Sequence, residues 1–146
     1  MMRILIINGP NLNLTGLRQP DIYGTTSFDT FLNALHQKFG AHELVYFQSN
    51  SEGELIDFLQ QEIPVSDAVV INPGAYAHTS IALADALRSF AIPIVEVHLS
   101  NIYAREPFRA HSYVSAVAAG TISGLGLFGY EVAVRYLIDN FRKSTD

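Results

Sequence analysis

Short apolar runs recur along this chain, most of them stopping on Asn, Ser or Gly, and the stretches between them carry apolar residues at a helical period. The runs are RILIIN (3–8), ELVYFQSN (43–50), DAVVIN (67–72), IPIVEVHLS (92–100) and AGTISGLG (119–126). Their near-continuous apolar character is that of strands covered on both faces. A helix is expected from Ser27 to Phe39, with Phe28, Phe31, Leu32, Leu35 and Phe39 on one face and Gly40 as a left-handed stop. A second begins at SEGELIDFLQQEI, where Ser51 and Glu54 have the spacing of a capping box. A third runs from about Thr79 to Phe90 and a fourth from about Tyr130 to Phe141, with a short helical turn between Ser112 and Ala118.

Alternation of strand and helix implies right-handed crossovers. The expected fold is therefore α/β and flavodoxin-like: a five-stranded parallel sheet with helices on both faces, in one domain spanning residues 1–146. The length of 146 residues and the 49% hydrophobic content suit one core of that size. With no cysteine, disulfides and thiolate metal sites are excluded, and a reducing compartment is the natural setting. The opening MMRILIINGP is broken too early by Asn8, Gly9 and Pro10 for a signal peptide or membrane span, so a soluble cytoplasmic protein is expected. A net charge of −5, without a basic run, argues against a nucleic-acid partner.

Ligands of such sheets bind beyond the carboxyl ends of the strands. There the chain places Asn8 to Asn11, Asn50, Asn72 to His78, and His98 to Asn101. Asn, Gly and Pro are also turn formers, so Asn50 and Asn72 read either way. In VEVHLS the period of two puts Glu96 and His98 on one strand face and Val95, Val97 and Leu99 on the other. A carboxylate beside an imidazole can orient the ring and favour its protonated form, as suits a general acid, or it can be a structural ion pair. His36, His42 and His111 read as structural or solvated. No two histidines have zinc-pair spacing and no carboxylates cluster, so no metal is expected.

GLGLFG (124–129) matches a dinucleotide fingerprint, but no later strand can deliver the acidic residue for the ribose, and close helix–strand packing is the better reading. A phosphate loop is missing, and the only lysines, Lys38 and Lys143, lie off the rim, which removes Schiff-base chemistry. Arg18, Arg105 and Arg109 make the rim locally basic and suited to a small carboxylate. Arg18 and Tyr23 share RQPDIYG, within a connection from residue 11 to 24 that has Gly16 and Gly24 at its bends, the composition of a lid. From composition alone Tyr23 is either an aromatic plug or a reactive phenol.

Together, ILIINGPNLNLTGLRQPDIYG, VINPGAYAHTSIALADAL, IPIVEVHLSNIYAREPFRAHSYVS and GTISGLGLFGYEVAVRYL resemble the type II 3-dehydroquinate dehydratases over most of the chain. The resemblance implies a cofactor-free enzyme of the shikimate pathway that removes water from 3-dehydroquinate by anti elimination through an enolate. Tyr23 matches the base, Arg18 the group that favours its phenolate, and His98 the acid that protonates the departing hydroxyl. Asn11 matches the residue that steadies the enolate through a water. Asn72 and the backbone of Leu99 and Ser100 match the carboxylate site; His78, Asp85 and Arg109 match the groups that hold the ring hydroxyls. The resemblance also implies trimers assembled into dodecamers, with Asp85 supplied by a neighbouring subunit. Tyr103 and Pro107 depart from the commonest family pattern, near the Arg105 to Arg109 loop.

The chemistry makes the match intelligible. A free phenol with a pKa near 10 falls about a thousandfold short of full ionisation at pH 7, a deficit of roughly 4 kcal/mol. A guanidinium within ~4–6 Å commonly shifts a pKa by about one to three units and can supply part of it. The rival reading is a flavodoxin-like module that binds a flavin, nucleotide or small regulator without turnover, since fold does not fix function. Such a module has no need of a base, an acid and arginines on one edge.

Overall fold

The first apolar run forms strand β1 (Arg3–Asn8), in which Ile4, Leu5, Ile6 and Ile7 are wholly buried. The computed structural model describes residues 1–16 and 27–143. Four more strands follow, β2 (Glu43–Gln48), β3 (Ala68–Asn72), β4 (Ile94–His98) and β5 (Gly120–Ser123). All pair in parallel, in the order β2-β1-β3-β4-β5. Helices α1 (Phe28–Lys38), α2 (Glu52–Glu62), α3 (Ile81–Arg88) and α4 (Phe128–Phe141) complete the expected α/β arrangement. The strand order reverses between β1 and β3, so a binding crevice opens between their carboxyl ends.

Alternate side chains of the central strands enter opposite cores, as the two-residue period requires. Ile4, Ile6 and Val70 pack with Leu32 and Leu35 of α1 and Val134 of α4. Leu5, Ile7, Val69 and Ile71 pack with Leu55 and Leu59 of α2 and with Leu83 and Leu87 of α3. Burial on both faces explains why these strands read as unbroken apolar runs.

Several expected boundaries move. Strand β2 stops at Gln48 rather than residue 50, and β5 stops at Ser123 rather than 126, because Gly124 and Gly126 take positive φ (88° and 59°) and leave the extended conformation. Gly129 then packs closely on Val97 and Ile122, where an added Cβ would lie 3.2 and 3.3 Å from their methyl groups, so the glycines of GLGLFG serve a tight turn and close helix contact. Gly40 is not the left-handed stop expected of it: α1 ends at Lys38, the capping Phe39 N–H donates to Leu35 O, and Gly40 has no positive φ. Only half of the expected capping box forms. Ser51 Oγ accepts from Glu54 N–H (3.3 Å), but the Glu54 carboxylate accepts from Ser49 Oγ, which in turn accepts the Ser51 N–H.

Candidate active site

Three loops line one cavity above the carboxyl ends of β1, β3 and β4. The first two are locked together: Gly9 N–H donates to Asn72 O (2.8 Å), and a Cβ at Gly9 would lie 2.3 Å from Pro73 O. Only glycine fits there. Asn11, in the same loop, has φ 69°, the one non-glycine residue with positive φ among those described. Asn tolerates this region, and strained backbone gathers at functional sites. Its N–H is held by Asn50 Oδ1 (2.9 Å), so Asn50 braces the loop after β1 from the loop after β2.

His98 lies where the β4 pattern puts it, on the same face as Glu96. Glu96 is fully buried; its Oε2 accepts from His98 Nε2 (2.6 Å) and Ser112 Oγ (2.7 Å), and its Oε1 accepts from Ser115 Oγ. Burial pushes this carboxyl pKa up, but the bonds from His98, Ser115 and Ser112 and the charge of His98 outweigh it and hold the group below its usual range. An ionised carboxylate can only accept, so the His98 proton facing it sits on Nε2. Nδ1 has no partner among the described residues, and it is open to the cavity because every buried side-chain nitrogen is bonded.

His78 is set the other way round. Its Nδ1 lies 2.6 Å from His111 O, and a carbonyl can only accept, so Nδ1 carries the proton. Burial pushes the His78 pKa down, against the opposing effect of that bond. A neutral His78 therefore offers Nε2 as an acceptor. The two rings are stacked 6.0 Å apart.

The Glu96 network has a testable acid limb. A carboxyl whose folded pKa is depressed contributes stability that is present above its unfolded value of 4.5 and is lost as pH falls through the folded value. Denaturant titrations of the wild type and Glu96→Gln between about pH 6 and 3 should show a stability gap that narrows as pH falls. A constant gap would mean that the Glu96 carboxyl is not depressed in the folded protein, and a gap that widens as pH falls would mean that it is held neutral there.

Leu99, Ser100, Arg105 and Arg109 line the same cavity. Arg105 Nη1 donates to Ser100 Oγ (3.3 Å), and Arg109 Nε donates to Glu106 Oε2 (2.7 Å). The unusual Pro107 opens a short 3-10 turn (Pro107–Ala110), where a missing N–H is harmless, and Tyr103 points to solvent at 68% exposure. Neither departure keeps the arginines from the cavity.

Of the residues singled out from the sequence, Asn72, His78, His98, Leu99, Ser100 and Arg109 therefore come together, with Asn11 beside them. Asp85 does not: it stands on the exposed side of α3, paired with Arg88 (2.9 Å). Arg18 and Tyr23 lie outside the described residues. Ser112 and Ser115 were missed because they follow no periodic element. Tyr130 was also missed, although a hydroxyl on the apolar face shared with Ala133, Val134 and Leu137 was a readable signal. Among the described residues, no three metal-ligating side chains cluster, and no helix is long and apolar enough to cross a membrane.

A sequence model of the family described as "Dehydroquinase class II" matches residues 2–138. The chain is 53% identical over 146 residues to the 3-dehydroquinate dehydratase of Glaesserella parasuis, covering 99% of each. It is 52% identical over 143 residues to catabolic 3-dehydroquinase 2 of Aspergillus flavus, covering 96% of this chain and 95% of that one. The crystal structure of type II dehydroquinase from Propionibacterium acnes superposes with a TM-score of 0.91 at 44% identity, covering 96% of this chain and 98% of that one. With nearly the whole chain matched in sequence and in fold, this protein belongs to the class II dehydroquinase family.

Proposed function

We propose that this chain is a 3-dehydroquinate dehydratase, a hydro-lyase that converts 3-dehydroquinate to 3-dehydroshikimate. The observation that carries the reading is His98 at the carboxyl end of β4. Its Nε2 is committed to a buried carboxylate and its Nδ1 is open to a cavity that also holds two arginines.

In this reading the Tyr23 phenolate removes a proton from the carbon beside the substrate ketone, and the electron pair moves into an enolate that Asn11 steadies through a water. Collapse of the enolate expels the hydroxyl, which leaves as water with the proton of His98 Nδ1–H. The Glu96 carboxylate balances the imidazolium beforehand, and Arg18 favours the phenolate. The Asn72 amide and the backbone N–H groups of Leu99 and Ser100 hold the substrate carboxylate; neutral His78 accepts from a ring hydroxyl, and Arg109 donates to one. No cofactor takes part.

By the family resemblance, Asp85 reaches a ring hydroxyl from a second copy of the chain, in trimers gathered into a dodecamer; its 62% exposure and its place outside the cavity of its own subunit are compatible with that role. A non-catalytic module would leave the His98–Glu96 arrangement without a task.

The test is incubation of purified protein with 3-dehydroquinate, followed by the absorbance of the conjugated product. Turnover should persist in chelator and in the presence of borohydride. Inactivation by borohydride with substrate present would indicate an imine and overturn the enolate route.

A further inference from the structure

Tyr130 of α4 is completely buried, yet it carries a polar hydroxyl where phenylalanine would fill the same aromatic cluster with Phe28 and Phe31. That hydroxyl lies beneath the carboxyl ends of β1 and β3, whose final residues, Asn8 and Asn72, are register partners. It donates to Asn8 Oδ1 (2.7 Å) and accepts from Asn72 Nδ2 (2.9 Å). Asn8 Nδ2 in turn faces Tyr46 OH (3.5 Å). Burial holds the Tyr130 phenol far above its ordinary pKa, against the bonds to the two asparagines, so it remains a neutral hydroxyl able to donate once and accept.

The direction of this chain is determined. Gly74 N–H can only donate, and it meets Asn72 at 3.1 Å, so the atom there is Oδ1 and the amide nitrogen faces Tyr130. Turning the Asn72 amide over would oppose two donors at Gly74. It would also take from Tyr130 the proton that Asn8 Oδ1 accepts. Gly74 thus determines which end of the amide is oxygen, while Tyr130 determines the angle at which the nitrogen is held. Asn72 Nδ2 has two hydrogens, of which one has a partner among the described residues, and Asn72 lines the cavity. The second N–H remains for an occupant.

We propose that the Tyr130 hydroxyl is a positioning group for the anion subsite, aiming the free N–H of Asn72 at the substrate carboxylate. The proposal rests on the reading of Asn72 as a carboxylate donor, and it assigns the last helix a part in substrate recognition without contact to substrate. Because the carboxylate is bound equally before and during the reaction, the loss should fall on KM rather than kcat.

Steady-state kinetics of Tyr130→Phe, Asn72→Ala and the double variant test this. Tyr130→Phe should raise KM about tenfold, as for a weakened hydrogen bond to a charged group, with kcat within about twofold. The double variant should be no worse than Asn72→Ala alone, because Tyr130 acts through Asn72. An unchanged KM in Tyr130→Phe beside a raised KM in Asn72→Ala overturns the proposal, as does additivity in the double variant. An unchanged KM in Asn72→Ala removes the underlying reading and the proposal with it. If Tyr130→Phe does not fold, Asn8→Ala interrupts the chain one bond further away. It should raise KM by a smaller factor, about two- to fivefold, and no rise would overturn the proposal.

Discussion

Tyr23→Phe is expected to remove turnover while leaving a folded protein that still binds ligand. The substitution deletes one oxygen and keeps the ring, so any packing by the ring survives. In the proposed mechanism the reaction loses its base, a role for which the reading offers no second group. General-base catalysis is worth about 10²–10⁴-fold, and here it starts from a phenol that must first be ionised against roughly 4 kcal/mol. Turnover should fall by at least about a thousandfold, with product binding by calorimetry largely kept. Retention of more than about a tenth of the activity would take the base role from Tyr23.

His98→Gln should have the second largest effect, lowering kcat by about 10²–10⁴-fold. Glutamine can still donate to Glu96, so the buried carboxylate keeps a partner, but it has no proton to release to a departing hydroxyl. The choice of glutamine matters. His98→Ala would leave Glu96 with its serine donors alone, and breaking a buried ion pair from one side costs about 3–5 kcal/mol, which would confuse lost chemistry with lost fold. Thermal denaturation should place the Gln variant close to wild type while its turnover collapses. A kcat within about fivefold of wild type would return the His98–Glu96 pair to the structural reading.

The pair also shows how far local pattern carries an argument. Alternation along VEVHLS was enough to put Glu96 and His98 side by side, and the structure places them 2.6 Å apart. Pattern could not say which ring nitrogen faces the carboxylate, nor that Ser112 and Ser115 complete its hydrogen bonds from 16 and 19 residues away. That knowledge decides which nitrogen is free for chemistry. Asn72 was equally ambiguous as a strand-end residue. Its bonds to Gly74 and Tyr130 show both a turn role and an aimed amide.

Where expectations moved, a local signal met a tertiary constraint. Gly40 looked like a left-handed stop, yet α1 ends without one because Phe39 is drawn into the core at 8% exposure and the chain turns there through His42 N–H to Phe39 O (2.8 Å). GLGLFG, by contrast, does what its place after the last strand led one to expect: its glycines serve the tight turn after β5 and the approach of α4 to Val97 and Ile122.

The sequence by itself determined the alternation of strand and helix, the doubly covered parallel sheet and the rim on which the chemistry lies, because burial and period are properties of neighbouring residues. It also carried the family resemblance, since the motifs are local strings. Only the tertiary structure decided the strand order, the closing of the β1 and β3 loops against each other through Gly9, the protons on His78 and His98, and the burial of the Tyr130 hydroxyl between two asparagines. Each of these depends on groups tens of residues apart meeting at hydrogen-bond distance, and a pattern read along the chain does not record which distant donor meets which acceptor.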